Sequence, residues 1–290
     1  MTVLVFLDPA LENGRIADAT KPQLMATDLG ATRGDGIFES LLAVDGVPRK
    51  VQAHLDRLAS SARIMDLDIP PADAWERAIA TAVAEHAPAE ELVLKLLVTR
   101  GVEGAERPTA WVQASLPGST GRDQRQEGLD VLLLDRGYDS NIAERAPWLL
   151  LGAKTLSYAV NMASLRYAKA NGADDVIFTS TDGLVLEGPT STVLMATVRD
   201  GVRKLTTPLL ENGILPGTSQ GALFNAAAEA GWQLGYGPLE PHHLLAADAV
   251  WLVSSIRLLA PVKSIDGQAI PVSHEMTEEL TALLAKGSRD

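Results

Sequence analysis

Four Asp-Gly pairs, Asp45-Gly46, Asp182-Gly183, Asp200-Gly201 and Asp266-Gly267, each stand between two β-like apolar runs. Such a pair supplies the two positive-φ residues of a tight turn and is the strongest short-range signal for a β-hairpin. A chain punctuated in this way is committed to antiparallel neighbours, so an all-helical fold is excluded. Helical segments lie between the hairpins. Val51, Leu55, Leu58, Ala62 and Met65 recur at helical spacing from Lys50 to Met65, which puts Arg57 on an amphipathic helix. Further helices are expected over Trp75–Glu85, from about Leu156 to Lys169 (closed by Asn171-Gly172), and from about Ser219 to Ala230 (closed by Gly231). Strands are expected at Val3–Leu7, Gly36–Val44, Glu91–Thr99, Thr109–Ala114 and Leu129–Leu134. Hairpins mixed with amphipathic helices define an α+β protein with mixed or antiparallel sheets.

The polar, glycine-containing stretch Leu116–Gly128 separates two of these strands and reads as a domain boundary. The expected organisation is an N-terminal α/β domain over 1–117, a linker over 118–128 and a C-terminal domain over 129–290. No internal repeat or low-complexity segment interrupts it. The chain carries 25 Lys+Arg against 37 Asp+Glu, a net charge of −12, which argues against nucleic acid as a partner. Any anionic ligand therefore needs a local positive pocket. The absence of cysteine excludes disulfides, thiolate zinc sites, iron–sulfur clusters and a cysteine nucleophile. No apolar run approaches the roughly 18 residues of a membrane span, and no signal core opens the chain, so a cytoplasmic protein is expected.

The common catalytic motifs G-x-G-x-x-G, G-x-x-x-x-G-K-[ST] and H-E-x-x-H are missing, and no metal site is expected. Neighbouring His242 and His243 point in different directions and read as capping or surface residues. Chemistry then falls to lysine, carboxylates, hydroxyls or a cofactor. Lys154 sits between the apolar run Trp148–Leu151 and a helix start, where desolvation lowers an amine's pKa and favours Schiff-base chemistry. Alone it is weak evidence, since a lysine at a strand end is usually solvated. Gly213-Ile-Leu-Pro-Gly-Thr-Ser219 ends a loop and opens a helix, presenting backbone N–H groups to an anion; Thr218 and Ser219 are its expected phosphate contacts, or else simple capping residues. Gly217 is read as letting the backbone approach that anion.

Taken together these blocks resemble the fold-type IV pyridoxal-phosphate (PLP) enzymes. The matching residues are Lys154-Thr-Leu-Ser-Tyr158, Gly172-Ala-Asp-Asp175, Asp182-Gly183, Glu187-Gly188 and Gly213-Ile-Leu-Pro-Gly217. Upstream, Asp28-Leu-Gly-Ala-Thr-Arg-Gly-Asp-Gly-Ile-Phe-Glu39 and His54-Leu-Asp-Arg-Leu58 match the family's D-R-G…G-D-G-x-F-E and H-L-x-R-L. Asp175 stands where the family more often has Glu. The resemblance implies two domains, a smaller N-terminal α/β domain and a larger C-terminal domain with a mixed, pseudo-barrel sheet. It implies pyridoxal 5'-phosphate as cofactor, with Lys154 as the Schiff-base lysine and proton carrier and Glu187 against the pyridine nitrogen. It adds Arg57 and Ser255 to the phosphate contacts, and Tyr158 as a partner of the ring hydroxyl or a packing residue. It also implies a homodimer acting on a small anionic amine. Within the family, Arg33 before Gly-Asp-Gly and the Lys154 block look most like 4-amino-4-deoxychorismate lyases, which form 4-aminobenzoate and pyruvate. Thr192, where transaminases carry Asn, weakens a branched-chain aminotransferase reading. Arg100 and Arg107 resemble the carboxylate-binding loop of D-amino acid transaminases, which are the alternative. Arg33, Arg100 and Arg107 are thus the expected substrate-binding residues.

Overall fold

The computed structural model describes residues 1–287, which form two compact units, 1–118 with 153–158 and 119–152 with 159–287. In the first unit, β1 (Thr2–Phe6), β2 (Arg15–Ala17), β3 (Gly36–Val44), β4 (Val47–Pro48), β5 (Glu91–Thr99) and β6 (Thr109–Ser115) build one sheet. Its order is β2-β1-β6-β5-β3-β4, and every neighbour is antiparallel. Three helices accompany it: α1 (Leu29–Arg33), α2 (Val51–Ile64) and α3 (Ala72–Glu85). The latter two lie against β3 and against β1 and β6, respectively. Leu58 and Leu55 of α2 and Trp75 and Ile79 of α3 are buried, as their spacing requires.

The second unit contains α4 (Thr120–Glu127), β7 (Leu129–Asp135), α5 (Ile142–Arg145), α6 (Ala159–Ala170), β8 (Asp175–Thr179), β9 (Thr192–Arg199), β10 (Val202–Pro208) and α7 (Thr218–Glu229). It continues with β11 (Gln233–Gly237), α8 (Pro241–Leu245), β12 (Ala249–Ser254), β13 (Leu258–Ile265), β14 (Gln268–Ala269) and α9 (His274–Gly287). The sheet order is β11-β10-β9-β12-β13-β7-β8, with β14 added to β13. The pairs β10–β11, β13–β7 and β7–β8 are parallel and the rest antiparallel, a mixed sheet as expected. Side chains alternate across its strands. Val193, Met195, Val250 and Leu252 enter one apolar cluster; Leu194, Ala196, Trp251 and Val253 enter another with Leu223, Phe224 and Leu284. Burial on both faces explains why β9 and β12 read as unbroken apolar runs.

Three of the Asp-Gly turns join strands with both residues at positive φ: Asp45 49° and Gly46 77°, Asp200 51° and Gly201 78°, Asp266 49° and Gly267 78°. At Asp182-Gly183 only the glycine has positive φ, because Ser180 closes this turn by accepting the Gly183 N–H and bonding Leu184 through its hydroxyl. Two expected elements differ. Most of the stretch read as a linker is helix α4, which lies against β13. The helix expected from Leu156 begins at Ala159. Before it, Thr155 bridges Ile37 and Leu156 donates its N–H to the Gly36 carbonyl, so sheet pairing overrides the helical pattern there.

Candidate active site

In the first unit Lys154 is fixed by its backbone before its side chain is considered. Its N–H donates to the buried Ser61 hydroxyl (3.0 Å), and its carbonyl accepts the Phe38 N–H (3.0 Å). The half-buried side chain extends over aromatic surface, with Nζ 4.2 Å from the Phe38 ring centre and 5.3 Å from that of Tyr158. Those two rings meet edge-to-face at 5.3 Å. Ring faces attract a cation while removing water from it. Tyr158 thus has a packing role against Phe38 and Lys154.

Arg57 belongs to a buried polar cluster in the same unit. Glu39 on β3 accepts Arg57 Nε at 2.6 Å and Nη2 at 2.8 Å, a bidentate pair that fixes the guanidinium plane. It also contacts His54 Nδ1 at 2.7 Å. Burial alone would raise the Glu39 carboxyl, but the charge and hydrogen bonds of Arg57 with the hydrogen bond of His54 overcome it and hold it at about 2. An ionised carboxylate only accepts, so His54 Nδ1 carries the proton it shares. Burial pushes His54 down against the pull of Glu39, leaving it a neutral prop. Lys50, in left-handed conformation before α2 and 8 % exposed, is pushed down to about 8 by burial and by Arg57.

The second unit holds the remaining expected cofactor residues. The Glu187 backbone pairs with β8 through its carbonyl and the Phe178 N–H (2.9 Å), and its carboxylate accepts the Leu215 N–H at 3.1 Å. The loop after it is held from α6, where Asn161 donates to the Pro189 carbonyl (2.7 Å) and accepts from Arg136 (3.0 Å). Arg136 in turn lies over the Phe178 ring. Thr218 and Ser219 are the first residues of α7, and their hydroxyls stand 3.1 and 3.2 Å from that of Ser255. The capping position is Gly217, so neither hydroxyl is the cap. The first turn of α7 carries no acidic residue, and three hydroxyls converge at its positive end. This donor set suits a phosphate, and a carboxylate at Glu187 suits a protonated ring nitrogen. Gly217 has a reason of its own: a Cβ there would lie 2.4 Å from Thr192 Oγ1, so a neighbouring side chain already demands the glycine.

The three expected substrate arginines differ in setting. Arg33 ends α1 and Arg107 lies in the loop before β6; both are exposed. Arg100 instead donates to Asp35 (2.8 Å) and to the carbonyls of Met65 and Asp66 (2.9 Å each), tying β5 to the end of α2. His242 and His243 open α8, where His243 and Glu240 form a capping box. Among the described residues no cluster of His, Asp and Glu has the geometry of a metal site, and no helix is long and apolar enough to cross a membrane. Sequence reading named neither Ser61 nor Arg136, and Asn161 entered it only as the last residue of the Lys154 block, with no role. Phe38 and Glu39 lay within a quoted block, but nothing in one chain's pattern distinguishes them from core strand residues.

Residues 36–265 match the profile of the family described as amino-transferase class IV, and the chain belongs to that family of PLP-dependent enzymes. Over 264 residues it is 46 % identical to a bifunctional aminodeoxychorismate lyase / D-amino acid transaminase of Mycobacterium tuberculosis, covering 89 % of this chain and 91 % of that one. It superimposes with a TM-score of 0.92 on the PLP-bound form of a hypothetical aminotransferase from the same organism, at 42 % identity over 99 % of both chains. A fold IV-transaminase from Curtobacterium pusillum gives 0.91 at 42 % identity, covering 98 % of this chain and 99 % of that one.

Proposed function

We propose that the chain is a 4-amino-4-deoxychorismate lyase, releasing 4-aminobenzoate and pyruvate. The observation that carries this reading is the 46 % identity, over most of both chains, to a relative described with that activity. The same relative's second activity keeps a D-amino acid transaminase as the alternative, and branched-chain amino acids are a weaker substrate class because Thr192 replaces the transaminases' Asn.

When bound, PLP supplies an electron sink for a carbanion. In this reading Lys154 Nζ would hold the cofactor and, as a free amine, would take the proton from the amine-bearing carbon of the substrate as general base. Its anchored backbone limits the swing of the side chain, and the Phe38 and Tyr158 rings keep the amine partly dehydrated. Glu187 holds the ring-nitrogen proton in place. Its bond from Leu215 ties that carboxylate to the loop leading into α7. Thr218, Ser219 and Ser255 receive the phosphate at the positive end of α7, and Arg57, oriented by Glu39, adds a charge. Tyr158 is the partner proposed for the ring hydroxyl. Arg33 and Arg107 are the proposed contacts for substrate carboxylates. Arg100, whose side chain is engaged with Asp35 and the end of α2, is a weaker third. The protein is proposed to act as a homodimer; a sedimentation mass near 31 kDa would contradict that.

The test is release of 4-aminobenzoate from aminodeoxychorismate by PLP-loaded protein with no 2-oxo acid present. The lyase turns over many times. A transaminase stops after one half-reaction without an acceptor and frees no 4-aminobenzoate, so no release would transfer the assignment to the alternative.

A further inference from the structure

Asp175 and Arg257 form a buried ion pair at 2.6 Å that none of the roles above uses. The Asp175 side chain is fully buried and that of Arg257 is 12 % exposed. They come from distant parts of the second unit, the first residue of β8 and the turn Ser254–Leu258 between β12 and β13. That turn carries Ser255, the hydroxyl facing both Thr218 and Ser219. The turn is not relaxed: Leu258 has a φ of 62°, a conformation bulky residues avoid. It persists because the surroundings over-determine it. Ser254 Oγ accepts the Arg257 N–H at 3.2 Å, and Arg125 of α4 reaches the Ile256 carbonyl at 3.5 Å. The ion pair adds a close buried charge contact, in which Asp175 Oδ2 meets Arg257 by charge and not by a well-directed hydrogen bond. Asp175 is itself pinned, its other oxygen accepting the Val176 N–H at 2.7 Å. Arg257 Nη1 is buried with no hydrogen-bond partner among the described residues, so Asp175 supplies its main compensation. From Asp175, β8 runs to Phe178, whose N–H and carbonyl pair with the Glu187 segment.

We propose that the Asp175–Arg257 pair is a positioning device for the cofactor: it locks the Ser255 turn to the strand that carries the Glu187 segment, so that the phosphate hydroxyls and the ring-nitrogen carboxylate keep one fixed spacing. The proposal rests on the cofactor roles given above to Ser255 and Glu187. Its reach is specific. Loosening the turn frees Ser255 and costs the phosphate end of the ligand, while a ligand without a phosphate has nothing there to lose.

The experiment compares PLP with pyridoxal, which lacks the phosphate, on apo-protein, reading binding by the absorbance of the bound chromophore. The variants are D175N, R257M, the double D175N/R257M, and S255A. The double variant leaves no buried charge unpaired, so it reports even if a single variant fails to fold. The expected result is PLP binding weakened tenfold or more in D175N/R257M, with pyridoxal binding unchanged within twofold. Adding S255A to the double variant then weakens PLP little further, because the hydroxyl has already lost its position. Equal loss of both ligands makes the pair merely structural and overturns the proposal, as does unchanged PLP binding. S255A alone separates the two levels. If it loosens PLP while D175N/R257M does not, the positioning role falls and the phosphate site stands. If S255A binds PLP as tightly as the parent, the phosphate site falls and takes the positioning role with it.

Discussion

Replacing Glu39 by Gln tests the buried cluster around Arg57 quantitatively. The Glu39 side chain is wholly buried, and its carboxyl is lowered from 4.5 to about 2. At about 1.36 kcal/mol per tenfold change, that lowering corresponds to about 3.4 kcal/mol in favour of the folded state at neutral pH. Breaking a buried pair by removing one partner costs a similar ~3–5 kcal/mol, since the guanidinium of Arg57 then loses its buried counter-charge. Because the folded pKa is depressed, the contribution is complete above the unfolded value of 4.5 and is lost as the pH falls through about 2. Urea unfolding followed by tryptophan fluorescence measures the gap between parent and E39Q. It is expected to be about 3 kcal/mol at pH 7 and to narrow by about 0.8 kcal/mol at pH 4, as the unfolded chain begins to take up the proton. A gap below about 1 kcal/mol at pH 7, or one that widens on acidification, would refute the reasoning.

Other outcomes follow from the same structure. K154A should abolish turnover with aminodeoxychorismate while unfolding within about 1 kcal/mol of the parent, because the truncated side chain is half-exposed and its backbone bonds remain; residual turnover at the parental rate would remove Lys154 from the mechanism. T218V should weaken PLP by roughly ten- to a hundredfold in a spectroscopic titration, the worth of one hydrogen bond to a charged group. G217A should destabilise by about 1–3 kcal/mol through the 2.4 Å contact with Thr192 Oγ1, and T192A should restore part of that loss in urea unfolding. If G217A is neutral, Thr192 is not what requires the glycine.

Local signals were enough for the hairpins and most helices because turn chemistry and apolar period act within a few residues. Asp45-Gly46, Asp200-Gly201 and Asp266-Gly267 needed only their own positive-φ preference. Lys154 marks where such reasoning ends: its segment has a helical pattern, yet Leu156 pairs with Gly36, about 120 residues earlier in the chain. The same distance problem hid Asp175. It stood in a quoted motif, but its partner Arg257 is on a turn whose position only the folded sheet supplies. The candidate site was legible as a set of residue types in order, since each carries its own chemistry. The residues that hold them, Ser61, Glu39, Asn161 and Arg136, were not, because a serine on a helix or a glutamate in a strand gives no sign of what it meets in space.

The most direct measurement reduces the PLP-loaded protein with borohydride, digests it, and locates the cofactor mass by peptide sequencing. The account predicts the mass on Lys154 alone. The mass on Lys50, which is buried, or on any other of the chain's lysines would contradict it.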